Sequence, residues 1–427
     1  MPISVAPAGS YRGAVPAPLP ASLGGVPVLP ALHILARGLF AVFVFFTCFT
    51  FLRPSPYEFA ALPAMGLWLA LGIRLTRSSV PFIALLIIFT LSLLVCLIPY
   101  LGEEDPTAYT LQSVYLSLTG VFFVMFFSSD TRSRMELALK AYLASCLFAA
   151  VCGTIAYFFD TGILFTMDGR AAGVFEDPNV LGSFLILGFL YCLRDLLTGE
   201  SRHPVLSVAA IAVLATGIFL SFSRGSWGAT IVGSGLMVGL TWITADSRVR
   251  RRIRTVLLVG LAILPVIGIG VLSIDGVAER FTDRAQLTKD YDEGETGRFG
   301  NQLRSIPMLI ERPAGFGPLR FRLVFGLEPH NSYIGGFANG GWIGGLSFIG
   351  LVLTTCFVGF RLCLTPSPYR RLAQIAFPAS LMFFLQAFQI DIDHWRHVYL
   401  LLGMVWGMEA ARLRWARGYA GERPGSR

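Results

Sequence analysis

The chain alternates long apolar runs with short polar punctuation. Runs fall at 31–52, 59–73, 80–100, 111–128, 137–159, 180–197, 204–222, 226–244, 255–274, 342–363, 372–388 and 398–411. Several approach the roughly 20 residues that a helix needs to cross hydrocarbon. Read as spans, they predict an all-α polytopic membrane protein with about twelve transmembrane helices. Two long intervals break the series. Residues 1–30 are rich in Pro, Gly and Ala, carry one charged side chain (Arg12), and are expected to be a disordered cytoplasmic tail. Residues 275–341 are expected to form one long outer loop. The organisation expected is therefore a tail at 1–30, helices 1–9 across 31–274, a loop at 275–341, helices 10–12 across 342–411, and a cytoplasmic tail at 412–427.

Composition supports the membrane reading. Hydrophobic residues make up 54% and charged residues 14%, against about 25% charged in a soluble domain. Mean hydropathy is +0.65. The net charge of +8 does not point to nucleic acid, because the arginines punctuate apolar runs and form no single basic face. The seven cysteines all lie within or beside apolar runs, which argues against a disulfide framework or a zinc site. No P-loop, Rossmann fingerprint, heptad array, fixed-period repeat or charged segment preceding a cleavable apolar stretch is present. No metal or cofactor is expected.

Charge then gives orientation. Arg74, Arg77, Arg132, Arg134, Arg194, Arg202, the Arg248–Arg254 cluster, Arg361, Arg370, Arg371, Arg412, Arg414 and Arg417 all fall on one side if the spans alternate, and that side is the cytoplasm. Both termini are then inside and the 275–341 loop outside. The turn Glu103-Glu104-Asp105 is acidic and the turn 389–397 mixed.

Arginines on the outer side run against this bias. Arg53 and Arg396 each flank a span. Arg170 precedes the sixth run, and Arg224 sits in the turn Ser223-Arg224-Gly225. The loop adds Arg280, Arg284, Arg298, Arg304, Arg320 and Arg322. Such arginines either snorkel as anchors or aim a guanidinium fork at an anion in the interface, for which a lipid-linked diphosphate qualifies. Asp177-Pro178-Asn179 reads as a turn feeding a helix cap. Phe299, Leu303, Ile306 and Ile310 predict an amphipathic helix with Arg298 and Arg304 off its apolar stripe; Pro307 is expected to kink it and Glu311-Arg312-Pro313 to stop it. Asp290, Asp292, Glu293 and Glu295 read as solvated surface. His330, in Pro329-His330-Asn331, is a candidate proton acceptor. His394 and His397, beside Arg396, share an outer turn that either lines the same mouth or anchors the interface with Trp395.

Taken in order, these motifs resemble the O-antigen ligase and O-antigen polymerase superfamily of bacterial membrane proteins. The resemblance runs over about 170–350. It rests on Gly173 to Gly182 with Phe175, Pro178 and Asn179, on Ser223-Arg224-Gly225, on Gly297-Arg298 with Glu311-Arg312-Pro313, and on His330-Asn331-Ser332-Tyr333 with Gly340-Gly341. Asp177 stands where the family often has asparagine. The resemblance implies a metal-independent inverting glycosyltransferase of the inner membrane, with its catalytic loop in the periplasm. It would take a glycan from undecaprenyl diphosphate and pass it to a sugar hydroxyl. By motif position Arg224 and Arg298 would hold the diphosphate and His330 would act on the acceptor. Arg170, Arg284, Arg304, Arg320, Asn331, His394 and Arg396 are expected to bind substrate. Polysaccharide chain-length regulators and export proteins are expected partners. The stretch from Phe281 to Arg298 leans towards a polymerase of lipid-linked repeat units; the alternatives are a ligase acting on lipid A core and a transporter of an anionic lipid or solute.

Overall fold

The computed structural model describes residues 30–52, 54–201, 203–273, 276–285 and 297–421, with only the backbone at 30, 264–268, 271–272, 283–285 and 419–421. Arg53, Arg202, the acidic run 290–295 and the tail expected at 1–30, save its last residue, lie outside the described residues, as does the Arg284 side chain. The chain forms α1 (Pro30–Phe45), α2 (Pro56–Ala70), α3 (Val80–Leu97), α4 (Glu104–Ser128), α5 (Thr131–Phe158), α6 (Pro178–Thr198), α7 (Pro204–Leu220), α8 (Arg224–Thr244) and α9 (Ser247–Leu272). It continues with α10 (Val277–Ala285), α11 (Arg298–Ile310), α12 (Phe321–Phe325), α13 (Ser332–Leu364), α14 (Arg370–Gln386) and α15 (Arg396–Gly421). Each predicted apolar run coincides with one helix.

Among the described residues, seven helical stretches are both long and apolar enough to cross a membrane: Ala31–Cys48, Arg77–Tyr100, Glu104–Ser128, Thr131–Phe158, Pro178–Thr198, Arg224–Thr244 and Ser332–Leu364. The chain is thus a predominantly helical, multi-pass membrane protein. Many large apolar side chains, among them Leu91, Leu118, Ile231, Leu353 and Phe357, point outward from these helices, as a lipid-facing surface requires.

One departure from an all-α expectation is a two-stranded antiparallel hairpin, β1 (Phe165–Met167) with β2 (Arg170–Gly173). Its turn, Asp168-Gly169, has both residues at positive φ (52° and 64°), the backbone a two-residue hairpin demands. Glycine suits 169 because its φ of 64° strains any other side chain; a Cβ there would also have to displace the exposed Arg280 guanidinium. Arg280 donates to the Asp168 carbonyl at 2.9 Å, tying α10 over the hairpin.

Helix α13 begins at Ser332, well before the apolar run at 342, so the expected loop ends earlier than its composition suggests. Gly341 (φ 64°, ψ −164°) breaks α13 internally. The break is filled by the segment that stops α11. Trp342 N–H donates to the Pro313 carbonyl at 2.9 Å, and Phe316 and Gly317 N–H both donate to the Ala338 carbonyl, at 2.8 and 3.0 Å. Trp342 Nε1 donates to the Leu309 carbonyl at 2.9 Å. A break at this depth is tolerated only where such partners satisfy the freed backbone groups.

Small residues set the closest helix contacts. A Cβ on Gly403 or Gly407 of α15 would collide with the Cβ of Phe123 or Phe127 on α4, a small-xxx-small seam. Helices α6, α8, α13 and α14 run from one end of the bundle to the other. Their basic ends meet: Arg371 pairs with Glu200, Arg370 reaches the Thr244 carbonyl at 3.4 Å, and Arg361 and Arg412 share buried Glu409. Helix α6 has 21 residues, so the opposite end lies about 30 Å away at 1.5 Å per residue.

Candidate functional site

At that opposite end, Asn331 caps α13. Its Oδ1 accepts from Tyr333 and Ile334 N–H at 3.0 and 3.1 Å, and its Nδ2 donates to the Phe388 carbonyl at 3.3 Å. Its own N–H donates to Asp391 Oδ1 at 3.0 Å. Ser332 N–H donates to the Ala387 carbonyl at 2.8 Å, and Ile392 N–H to Ser332 Oγ at 2.6 Å. From α11, Gln302 Nε2 donates to the Pro329 carbonyl at 2.9 Å. These bonds hold His330 between fixed neighbours, in left-handed backbone (φ 44°), a conformation histidine enters more readily than most residues. Its side chain is 48% exposed, so the ring is open to the surroundings at this end of the bundle.

Electrostatics keep that ring neutral. Partial burial lowers the His330 pKa below the ordinary histidine value, Arg298 lowers it further, and Asp177 opposes them. Asp391 Oδ2 stands 3.7 Å from His330 Nδ1, beyond hydrogen-bonding distance. Burial, and then the neighbouring Asp393, push the Asp391 carboxyl up. A neutral imidazole is the form that accepts a proton.

Several helix starts converge beside this ring. Arg298 is the first residue of α11, after Gly297, which gives no side-chain cap. Its Nη1 donates to the Gln389 carbonyl at 3.2 Å. Arg224 is the first residue of α8, after the capping Ser223. The turn before it strains Phe222 into positive φ (46°), stabilised by burial of that ring against Phe219, Trp227 and Tyr157. The start of α6, capped by Asp177, meets the start of α8 through Ser183 Oγ and Ser226 Oγ at 3.1 Å. Ser183 Oγ also meets Gln386 Oε1 of α14 at 2.5 Å. The starts of α6, α8, α11 and α13 thus surround the end of α14. Helix starts carry partial positive charge, and two of these begin with arginine; the place favours an anion.

The other predicted residues lie elsewhere. Arg170 is buried in β2, where Nε donates to the Ser221 carbonyl at 2.9 Å and Nη2 to Asn179 Oδ1 at 2.8 Å; it braces the starts of α6 and α8. Arg304 is exposed on α11, with Nη2 donating to Asn301 Oδ1 at 2.5 Å. Arg320 pairs with Glu103 and lies over Tyr100, its guanidinium 4.2 Å from the ring centre. Arg396 is buried, donating to Glu58 at 2.5 Å and to the Phe49 carbonyl at 2.6 Å. His394 is half-buried with both ring nitrogens engaged: Nδ1 with Asp393 Oδ2 at 3.0 Å and Nε2 with Ser113 Oγ at 3.0 Å and the Tyr109 carbonyl at 3.1 Å. His397 is buried among Phe184, Phe383 and Trp395. Sequence reasoning did not single out Asp391, Gln302 or Gln386. Gln302 lies one helical turn after Arg298 on the same helix, a usable signal; Asp391 and Gln386 give none without the fold. Among the described residues no group of three His, Cys, Asp or Glu side chains is placed to hold a metal ion.

Residues 209–349 match the family described as O-antigen ligase. No curated protein matches the chain. The matched stretch runs from within α7 to the middle of α13 and contains the starts of α8, α11 and α13 with Arg224, Arg298 and His330; this match supports assignment of the chain to the O-antigen ligase and polymerase superfamily.

Proposed function

We propose that this protein is an inner-membrane, metal-independent inverting glycosyltransferase that moves a glycan from undecaprenyl diphosphate to a sugar hydroxyl at the periplasmic face. The observation that carries this reading is the half-exposed His330 ring at the start of α13, near Arg298 at the start of α11, at a place where helix starts gather positive potential; burial and Arg298 lower its pKa, which favours the neutral ring. In this reading all twelve long helices cross or enter the membrane, both termini are cytoplasmic, and the basic helix ends face the cytoplasm. The acceptor oxygen attacks the anomeric carbon from the side opposite the phosphate. The carbon–oxygen bond to the diphosphate breaks, and its electron pair leaves on the diphosphate. Arg224 and Arg298 stabilise that growing charge, as fixed dipoles and cations do without reorganising. His330 takes the hydroxyl proton.

The matched family's description favours a ligase, with lipid A core as acceptor, over the polymerase lean drawn from the Phe281–Arg298 stretch. Purified protein reconstituted with lipid-linked repeat units, with and without lipid A core, separates the two. The ligase reading expects one transfer onto core and no product from repeat units alone. A ladder formed without core would make the enzyme a polymerase.

A further inference from the structure

A cleft lies at the same end of the bundle as His330. It lies between the turn joining α3 to α4 and the short helix α12. Its volume is about 370 Å³, and Glu103, Glu104, Asp105, Arg320 and Arg322 line it. That volume falls within the roughly 300–1,000 Å³ of small-molecule sites. The charges largely cancel in pairs. Arg320 pairs with Glu103, and Arg322 pairs with Asp105 at 2.8 Å. Arg322 Nε also stands 3.6 Å from Glu328, two residues before His330. The cleft's Leu319 donates its N–H to Asn339 Oδ1 at 3.1 Å, joining this wall to the first half of α13, which starts beside His330.

The acidic residues begin α4, where the positive helix end favours them. That accounts for the carboxylates but not for two guanidiniums brought across from α12. Paired charges exert little net pull on an ion, yet they keep unused hydrogen-bonding capacity. A guanidinium has five N–H donors and a carboxylate about four acceptor sites, more than these pairs use. Donors and acceptors side by side suit the neighbouring hydroxyls of a sugar ring. Glu104 pairs with no cation among the described residues and is exposed, so its oxygens face the opening.

We propose that this cleft is a saccharide subsite, holding a neutral sugar of the acceptor glycan next to the sugar whose hydroxyl meets His330. The proposal rests on the glycosyl-transfer reading above. The acceptor is chosen over the donor because the cleft joins the site through Glu328 and α13, on the His330 side, whereas Arg224 and the start of α6 lie on the other.

The test uses full-length protein in nanodiscs and two readouts. Deacylated core oligosaccharide is titrated by calorimetry, and steady-state transfer is measured while acceptor and donor are varied separately. In Glu104→Gln and Arg322→Gln, oligosaccharide affinity is expected to fall and acceptor KM to rise about tenfold, the loss of one charge-assisted hydrogen bond, with donor KM and kcat unchanged. Glu104→Gln removes an exposed charge that pairs with no cation among the described residues, so its result does not depend on Arg322→Gln folding. Unchanged affinity and acceptor KM in Glu104→Gln would overturn the subsite while leaving transfer intact. Oligosaccharide binding that depends on Glu104, in a protein that transfers nothing, would uphold the subsite and overturn the catalytic reading.

Discussion

The N–H of Asn331 donates to Asp391 at 3.0 Å, so the residue that caps α13 is fastened to the turn before α15. Removing the acceptor in Asp391→Ala strands a part-buried donor, at a cost of about 1–3 kcal/mol, next to the backbone that holds His330. Asp391→Asn keeps an acceptor oxygen. Thermal stability in detergent is expected to drop in the alanine variant and to stay near wild type in the asparagine variant, with transfer rates following the same order. Equal stability in all three proteins would show that this bond does not fasten the loop.

Gly341 carries the break in α13. A Cβ there would collide with the Pro313 carbonyl oxygen, and the positive φ adds strain of about 1–3 kcal/mol. Gly341→Ala should therefore be strongly destabilised and lose transfer. Gly225→Ala, whose added Cβ meets only Ser223 Oγ at 3.9 Å, serves as the tolerated control for stability. Melting temperatures of the two variants check this directly.

The helices were legible and the break was not, for one reason. Long apolar runs announce a span through composition alone. The stretch from Gly335 to Gly341 reads instead as loop, because glycine is a poor helix former. Its helical state depends on the Pro313–Gly317 segment filling the gap, a pairing set by the fold. The hairpin hid similarly, although Asp168-Gly169 is a turn pair, because its strands are too short to alternate clearly. The arginines expected on the outer side stood out against charge bias, but the bias does not distinguish a ligand from a protein partner. Arg224 and Arg298 begin helices at the mouth. Arg396 has Glu58, and Arg170, itself in an unrecognised hairpin, has Asn179 and the Ser221 carbonyl, partners that the fold brings together.

His394 gives a pH dependence of stability. Burial disfavours its charge, but the Asp393 carboxylate and the hydrogen bond between them outweigh burial and raise its pKa. A raised histidine contributes stability fully below its unfolded value of about 6.5, and that contribution is lost as pH climbs through the folded pKa. His394→Ala leaves the buried Asp393 carboxylate without its cation, a loss of about 3–5 kcal/mol. The stability gap between wild type and His394→Ala is thus expected to be largest near about pH 6 and to shrink towards about pH 9. A gap independent of pH would mean the ring is neutral throughout.

His330 gives a pH dependence of rate with the opposite sign. Its pKa is lowered, and its working form is neutral, so protonation should cut activity only on the acid side of about 6.5. Arg298→Gln removes one cause of the depression and should move the acid limb of kcat/KM upward. A limb that stays in place would detach Arg298 from His330.

The most direct test of His330 as the proton acceptor is the transfer rate of His330→Asn, measured in single turnover with donor binding measured separately. Asparagine tolerates the left-handed backbone at φ 44° but cannot take the proton. The rate is expected to fall about 10²–10⁴ below wild type, with affinity for undecaprenyl-diphosphate-linked glycan retained, because Arg224 and Arg298 are untouched. A His330→Asn protein that transfers at the wild-type rate would contradict the assignment of His330 as the base.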